Sequence, residues 1–401
     1  MYSNFSSAFW EGYRLGVTGI IAEFNPLHNG HKRLIDFAEK NGDTVVCVIS
    51  GNFVERGDVA CLSKAKRAEF ALKCGVDIVA EMPVLWSMST AQNFALCGVF
   101  ELYNLGCDTV LFGSECGDIE KLMKTADILL SDEFSLIVAE KMKSGITFAA
   151  AREEAAVKLG AEKDILSKPN NNLGLEYIIA AKKLKLPLKF ATVLREGEPH
   201  DSKNEGSNYV SASFIREKIL SGDIGYAERF MPLQIRGSFS PDSVADIRRA
   251  DRAFLGILRT KAQEDFKKLP DLSEGIENKL YFSLRVAKSL DELYGMIKSK
   301  RYTLARVRRL VLSAVLGFDK KFFMRTPPYI RILGFSARGE EHIRTAVSII
   351  PVVMRVSEIA KLDSDSRDVF ETECLATDLY ALCFSRPLEC GLEYKYKLLK
   401  P

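Results

Sequence analysis

Two histidines three residues apart lie in a short segment whose residue types suit the phosphates of a nucleotide. Residues 25–31 read Asn-Pro-Leu-His-Asn-Gly-His, with the imidazoles at His28 and His31. A strand is predicted over 16–24 and a helix over 31–39, so free backbone N–H groups and the positive end of the helix dipole would face the loop. The imidazoles could also stabilise charge that develops at an α-phosphate under attack. The alternative is a pair of ordinary surface histidines.

A second candidate for phosphate contact follows near residue 210. The sequence Val-Ser-Ala-Ser-Phe-Ile-Arg over 210–216 places Ser213 and Arg216 at the start of a predicted helix. A hydroxyl and a guanidinium are both good donors to phosphate oxygens. The alternative is a serine N-cap, from Ser211 or Ser213, with Arg216 on the surface.

Short apolar segments alternate with helical patterns through the first half of the chain. The predicted strands cover residues 16–24, 44–50, 77–81, 109–112 and 189–194, and the predicted helices cover 31–39, 63–73, 91–104 and 213–221. This alternation predicts an α/β domain with a Rossmann-like parallel sheet. Ligands of such sheets lie beyond the carboxyl ends of the strands. The loops after Phe24, Ser50, Phe112 and Leu194 should therefore share one edge.

Helical periodicity dominates the second half, where helices are predicted over 247–261, 280–288, 289–298, 302–316 and 340–350. We predict an N-terminal extension over 1–15, the α/β domain over 16–225 and a mainly α-helical C-terminal domain over 226–401. No stretch approaches the roughly 20 apolar residues of a membrane span, and the N-terminus does not have the pattern of a signal peptide.

The nine cysteines and four histidines show no metal-binding spacing and no CxxC pair. Scattered cysteines beside apolar residues are typical of buried thiols in a reducing compartment, so we expect a cytoplasmic protein and no structural metal site.

Positive charge is concentrated between residues 296 and 338. Eleven basic residues and one acidic residue give this segment +10, although the whole chain carries only +3. Such concentration, with aromatic residues interleaved, is typical of polyanion binding and predicts a nucleic-acid partner. The alternative is a solvated basic helix without a partner. The predicted nucleic-acid contacts are Lys298, Lys300, Arg301, Arg306, Arg308 and Arg309.

The two short segments together resemble the signatures of the HxGH nucleotidyltransferase superfamily, HxGH at 28–31 and ISSTxIR at 210–216. Longer blocks at 19–31, 50–58, 112–115, 168–177, 298–303 and 332–335 resemble, in the same order, the bacterial tRNA-Met cytidine acetate ligase family. The blocks span roughly residues 16–340, which makes this resemblance much more specific than either signature alone.

The resemblance implies an ATP-dependent ligase with a nucleotidyltransferase-like catalytic domain. Acetate would attack the α-phosphate of ATP, giving acetyl-adenylate and pyrophosphate, and N4 of the wobble cytidine (position 34) of elongator tRNA-Met would take the acetyl group. Magnesium is expected to accompany ATP. The implied catalytic residues are His28, His31, Ser213 and Arg216. The implied ATP-binding residues are Ile21, Ala22, Glu23, Phe24, Asn25, Pro26, Leu27, Asn29, Gly30, Lys32, Arg33, Leu34, Gly113, Asn170 or Asn171, and Arg195.

Several roles stay open at this point. The chain departs from the family pattern after Arg195, which leaves His200 as a phosphate contact, a tRNA contact or a loop residue. Glu23 and Asp58 could hold magnesium, accept a proton from the cytidine amine, or be solvated. Lys64 and Arg67 could meet phosphate or tRNA, or be ordinary surface charges.

Two other functions compete with the ligase. A small-molecule adenylyltransferase or cytidylyltransferase of coenzyme metabolism would share both signatures, but it would not explain the long basic helical part. A non-catalytic RNA-binding protein on the same fold would not explain intact His28, His31 and Arg216.

Overall fold

A computed structural model describes residues 16–195, 210–272, 275–299, 302–323 and 325–400. Seven strands form one sheet in the order β7-β6-β1-β2-β5-β8-β9, and β3 and β4 form a separate hairpin. The strands are β1 (Val17–Ala22), β2 (Thr44–Ser50), β3 (Phe53–Val54), β4 (Asp58–Val59), β5 (Ile78–Met82), β6 (Thr109–Ser114), β7 (Lys189–Leu194), β8 (Ile330–Phe335) and β9 (Val352–Val353).

Helices cover both faces of the sheet and make up most of the second half. They are α1 (Asn29–Lys40), α2 (Lys64–Lys73), α3 (Val84–Ser87), α4 (Ala91–Asn104), α5 (Ile119–Leu130), α6 (Asp132–Lys143), α7 (Phe148–Lys158), α8 (Pro169–Lys183), α9 (Ala212–Leu220), α10 (Ile224–Glu228), α11 (Asp251–Arg259), α12 (Ile276–Val286), α13 (Leu290–Ile297), α14 (Leu304–Leu316), α15 (Ala337–Thr345), α16 (Val356–Ile359) and α17 (Ser364–Tyr380). Within the described ranges, none of these helices combines the length and the hydrophobicity that a membrane span needs.

The first half contributes five strands to this sheet, and they are parallel to one another, as predicted. Strand β1 is the middle one of these five, between β6 and β2. Its side chains alternate between two hydrophobic cores: Ile20 and Ala22 pack on one face of the sheet, and Ile21 packs on the other. A strand that is apolar at successive positions is expected where both faces are covered. The carboxyl ends of β1, β6 and β7 consequently meet at one edge of the sheet.

Residues from the second half complete this sheet. Strand β8 pairs antiparallel with β5, with a register shift between Val79 and Ala80, and β9 pairs parallel with β8. Neither β8 nor β9 was predicted from the sequence. The mainly α-helical character of the C-terminal half is confirmed, and the domain boundary near residue 225 stays a prediction.

A buried cluster of charges joins helix α17 to the sheet. Lys64 is paired with Glu81, Glu373 and Glu393, and Arg331 is paired with Glu81 and Glu393. All five side chains are at most 5% exposed. Lys64 therefore lies in the core, away from the surface or ligand positions that the sequence suggested.

Arg67 is also buried, and its role differs from both alternatives raised by the sequence. The guanidinium is fully excluded from solvent and donates to the backbone carbonyls of Glu23 at 2.6 Å, Ser50 at 2.9 Å and Leu62 at 2.9 Å. These bonds tie the loop after β1 to the loop after β2, so Arg67 shapes the sheet edge from within.

Candidate active site

A cavity of about 380 Å³ opens at the carboxyl edge of the sheet. Its walls come from the ends of β1, β6 and β7, the first turns of α1, α8 and α9, helix α4 and the β3–β4 hairpin. The lining residues are Ile20–Asn25, His28, Gly30, His31, Arg33, Leu34, Glu55, Arg56, Ala91, Phe94, Phe112, Gly113, Pro169, Asn170, Asn172, Leu173, Gly174, Tyr177, Val193, Leu194, Arg195, Val210, Ala212, Ser213 and Arg216.

Backbone hydrogen bonds fix the two imidazoles at the start of α1. His28 is the N-cap residue, and its Nδ1 accepts from the N–H of Gly30 at 3.0 Å. The N–H of His28 donates to Nδ1 of His31 at 3.4 Å. Because each Nδ1 serves as an acceptor, the neutral rings carry their proton on Nε2. Both side chains therefore present an N–H donor of the kind that phosphoryl oxygens accept.

The backbone of α1 contributes less than the sequence suggested. The N–H of Asn29 donates to the carbonyl of Phe230 at 2.9 Å, and the N–H of His31 donates to the carbonyl of His28 at 2.9 Å. With the N–H of Gly30 also bonded, the expectation of free N–H groups at this helix end was wrong. Phosphate donors here must come mainly from side chains.

His31 is held neutral by its surroundings. Burial, with a smaller contribution from the charge of Arg195, lowers the pKa of His31 to about 3. The ring packs edge-on against Phe24, with centroids 5.1 Å apart, and lies 4.0 Å from the ring of His28. A neutral imidazole donates through Nε2 without repelling the nearby arginines.

Gly30 is required by the packing of His28. A Cβ at this position would lie 2.8 Å from Cε1 and 3.0 Å from Nδ1 of that ring. Any larger residue would displace the imidazole and weaken its bond to the backbone of α1. The glycine between the two histidines thus has a steric cause.

Arg216 connects the second predicted segment to the histidine loop. One guanidinium nitrogen donates to the carbonyl of Asn25 at 2.8 Å, and another donates to Oγ of Ser213 at 3.1 Å. Ser211 is the N-cap of α9 and accepts from the N–H of Phe214. Since Ser211 does the capping, Ser213 and Arg216 are available to line the cavity.

The start of α8, which also lines the cavity, is held by Glu115. Its carboxylate accepts from the N–H groups of Asn170 at 3.2 Å and Asn171 at 2.8 Å. Oδ1 of Asn170 accepts from Arg195 at 2.8 Å, which joins α8 to the end of β7. Asn171 is buried, and its Oδ1 accepts from the N–H of Glu115 and of Cys116. Of the two predicted asparagines, Asn170 lines the cavity and Asn171 supports the fold.

The structure brings most of the predicted site residues to this cavity. All four predicted catalytic residues line it, as do Ile21 to Asn25, Gly30, Arg33, Leu34, Gly113, Asn170 and Arg195. Five predicted ATP-binding residues are absent from the lining: Pro26, Leu27, Asn29, Lys32 and Asn171. Leu27 is fully buried in the core, and Lys32 pairs with Asp36 on the outer side of α1. His200 lies outside the described residues.

Many lining residues were not assigned a role from the sequence, among them two charged and two aromatic ones. Glu55 and Arg56 come from the β3–β4 hairpin, Phe94 from α4 and Tyr177 from α8. The hairpin residues belong to the block at 50–58 that carried the family resemblance, which was the available signal. Asp58 from the same block does not line this cavity and lies 3.8 Å from Arg308.

The predicted nucleic-acid residues differ in their surroundings. Lys298 is exposed, and Lys300 and Arg301 lie outside the described residues. Arg306 pairs with Asp271, Arg308 with Asp58, and Arg309 with Glu55 and Asp271. Burial of Val307, Leu310 and Val311 shows that the apolar face of α14 packs inside its own domain. Whether any of these cations contacts a nucleic acid stays a prediction.

The chain matches the HIGH Nucleotidyl Transferase family over residues 15–392. It is 36% identical over 397 residues to the tRNA(Met) cytidine acetate ligase of Caldanaerobacter subterraneus subsp. tengcongensis, with 95% of this chain and 99% of that protein covered. It is 33% identical over 388 residues to the enzyme of the same name from Clostridium perfringens, with 92% of this chain and 95% of that protein covered.

Two crystal structures of Thermotoga maritima TmcAL are similar to this fold at 29% sequence identity. The apo form has a TM-score of 0.89, and the form bound with alpha-thio ATP has a TM-score of 0.87; each match covers 96% of this chain and 100% of the other. Together with the cavity described above, these matches show that the chain belongs to the HIGH nucleotidyltransferase family and, within it, to the tRNA(Met) cytidine acetate ligases.

Proposed function

We propose that this protein is an ATP-dependent ligase that activates acetate as acetyl-adenylate and acetylates N4 of the wobble cytidine, position 34, of elongator tRNA-Met. The observation that carries the proposal is the convergence of His28, His31, Ser213 and Arg216 on one cavity. All four side chains can donate hydrogen bonds to phosphoryl oxygens, which suits a reaction in which a second substrate attacks the α-phosphate.

In the first step, a carboxylate oxygen of acetate attacks the α-phosphate of ATP and pyrophosphate leaves. Negative charge grows on the phosphoryl oxygens during this attack. The Nε2–H groups of His28 and His31 supply neutral donors for it, and Arg216 supplies a cation. Arg195, which bonds to Asn170 and whose charge acts on His31, adds a second cation.

Magnesium is expected to arrive with ATP. Magnesium usually binds largely through substrate phosphates and keeps several waters. The described residues contain no group of three His, Cys, Asp or Glu side chains that could hold a metal ion alone, so the phosphates of ATP would have to hold it. When bound, magnesium would neutralise charge on the departing pyrophosphate.

In the second step, the cytidine amine attacks the acetyl carbonyl and AMP leaves. The helical half packs against the cavity through the β3–β4 hairpin, since Arg309 of α14 contacts Glu55. We expect tRNA to approach from this half, where Lys298 is exposed. The membership of the chain in a family of tRNA(Met)-named enzymes supports this acceptor.

Incubation with radiolabelled acetate, ATP and transcribed elongator tRNA-Met tests the proposal. Label should enter tRNA only when ATP is present, and a C34U transcript should stay unlabelled. ATP turnover that does not require acetate, with no label in tRNA, would indicate a small-molecule transferase. Binding of tRNA without either reaction would indicate a non-catalytic protein.

A further inference from the structure

Two carboxylates stand among the cations that line the cavity. Of the described lining residues, Glu23 and Glu55 are the acidic ones, whereas Arg33, Arg56, Arg195 and Arg216 are basic. Phosphate binding explains the cations. It does not explain a carboxylate, because a negative group near ATP is unfavourable unless it binds a metal or takes a proton.

Glu55 is already engaged by the helical half. Its Oε1 accepts from Arg309 at 3.0 Å, and its carbonyl accepts from the same guanidinium at 3.1 Å. Burial raises the pKa of Glu55, whereas the charge of Arg309 lowers it. The carboxylate of Glu55 therefore serves to hold the hairpin against α14.

Glu23 is held at two points and keeps one oxygen open. Its carbonyl accepts from the buried guanidinium of Arg67 at 2.6 Å, and its Oε1 accepts from the N–H of Glu55 at 2.8 Å. No hydrogen bond from a described residue reaches Oε2. A carboxylate fixed in this way, with one free oxygen at the cavity wall, has the geometry of a positioned proton acceptor.

The hairpin links this carboxylate closely to the helical half. Gly57 has a φ of +69°, and a Cβ there would lie 2.5 Å from the backbone nitrogen of Arg309. The backbones of the hairpin and of α14 are therefore in direct contact. The N–H of Glu55 that orients Glu23 belongs to the segment that α14 holds.

We infer that Glu23 accepts the proton of the cytidine amine during acetyl transfer. This inference rests on the proposed function. As N4 forms its bond to the acetyl carbon, the bond between that carbon and the adenylate oxygen breaks, and AMP leaves with the electron pair. One N4 proton passes to Oε2 of Glu23, and the carboxyl then releases it to water. Arg309 acts as a positioning residue through Glu55.

Glu23→Gln separates the two steps of the reaction. Acetate-dependent exchange of labelled pyrophosphate into ATP measures activation alone, and single-turnover transfer from preformed acetyl-adenylate to tRNA-Met measures the second step. We expect transfer to fall by about 10²–10⁴-fold, the usual contribution of a general base, and exchange to fall far less, although Glu23 also lines the ATP cavity. Glu69→Gln, on α2 and absent from the cavity lining, is the matched control.

Each other result has a distinct meaning. If Glu23→Gln abolishes exchange, the carboxylate serves activation, for example through magnesium, and the inference is overturned. Transfer at the wild-type rate would overturn it as well, and the exchange assay itself shows that the variant is folded. Failure of the wild-type protein to acetylate tRNA-Met would instead refute the proposed function.

Discussion

The buried charge cluster makes a prediction about pH and stability. Its five groups would carry a net charge of −1 if all were ionised, because Lys64 and Arg331 face Glu81, Glu373 and Glu393. Burial and the neighbouring charge of Glu81 together raise the pKa of Glu373 to about 8, although Lys64 opposes the shift. By contrast, Lys64 and Arg331 overcome the effect of burial and lower the pKa of Glu393 to about 2. We therefore expect the folded protein to keep one proton on Glu373 at neutral pH.

The sign of the effect follows from proton binding. Between the ordinary pKa of about 4.5 and the folded value, the folded state holds a proton that the unfolded chain has lost. The free energy of unfolding must therefore fall as pH rises, by up to about 1.4 kcal/mol per pH unit. Glu373→Gln has a neutral side chain at every pH. Its side-chain oxygen can still accept from the N–H of Val84, which lies 2.8 Å from a carboxylate oxygen of Glu373 in the wild type. Relative to wild type, the variant should gain up to about 2–3 kcal/mol between about pH 5.5 and about pH 7.5.

Urea unfolding at several pH values, followed by tryptophan fluorescence, measures this difference. Glu371→Gln changes an exposed glutamate of the same helix and serves as the control. The difference between each variant and wild type cancels the other groups that titrate in this range. A difference for Glu373→Gln that is constant with pH, or that favours the wild type increasingly as pH rises, would refute the reasoning.

Two further predictions concern the site and the basic helix. Gly30→Ala should reduce acetate-dependent pyrophosphate exchange by about 10²-fold, because the added Cβ would displace the ring of His28 by a substantial fraction of an ångström. The control is Gly295→Ala, which should leave exchange unchanged because a Cβ at residue 295 meets open space. Lys298→Glu should weaken tRNA binding and reduce the salt dependence of that binding without affecting exchange. Arg309→Glu should also impair exchange, because it places a negative charge against the carboxylate of Glu55 in the β3–β4 hairpin. Equal effects of the two charge reversals on exchange would show that the hairpin contact does not matter for activation.

The sequence predicted the site best where one segment contains its own structure. The turn, helix start and histidines of residues 25–31 depend on neighbours in the chain, so their placement after β1 was predictable. The strands at 44–50 and 189–194 and the helix at 91–104 were predicted with the bounds that the structure shows. Helices α5 to α8 were not predicted. Helices α7 and α8 show little contrast between an apolar and a polar face, whereas α5 has a clear apolar face that was overlooked.

The sequence predicted less where partners come from distant segments. A charge count could not show that Arg309 meets Glu55, since the two residues are 254 positions apart. Lys64 looked like a surface lysine until Glu373, 309 positions away, was placed beside it. Strand β8 was missed for a similar reason, because it pairs antiparallel with β5, which lies in another part of the chain.

Oxygen transfer from acetate to AMP tests the central claim most directly. If the His28–His31 loop holds ATP for attack by acetate at the α-phosphate, the attacking oxygen becomes the bridging oxygen of acetyl-adenylate and stays with AMP after the acetyl group leaves. Wild-type protein supplied with acetate labelled with ¹⁸O in both oxygens, ATP and elongator tRNA-Met should therefore yield AMP that carries one ¹⁸O atom for each acetylated cytidine. Acetylated tRNA accompanied by unlabelled AMP, or by ¹⁸O in orthophosphate, would contradict the account.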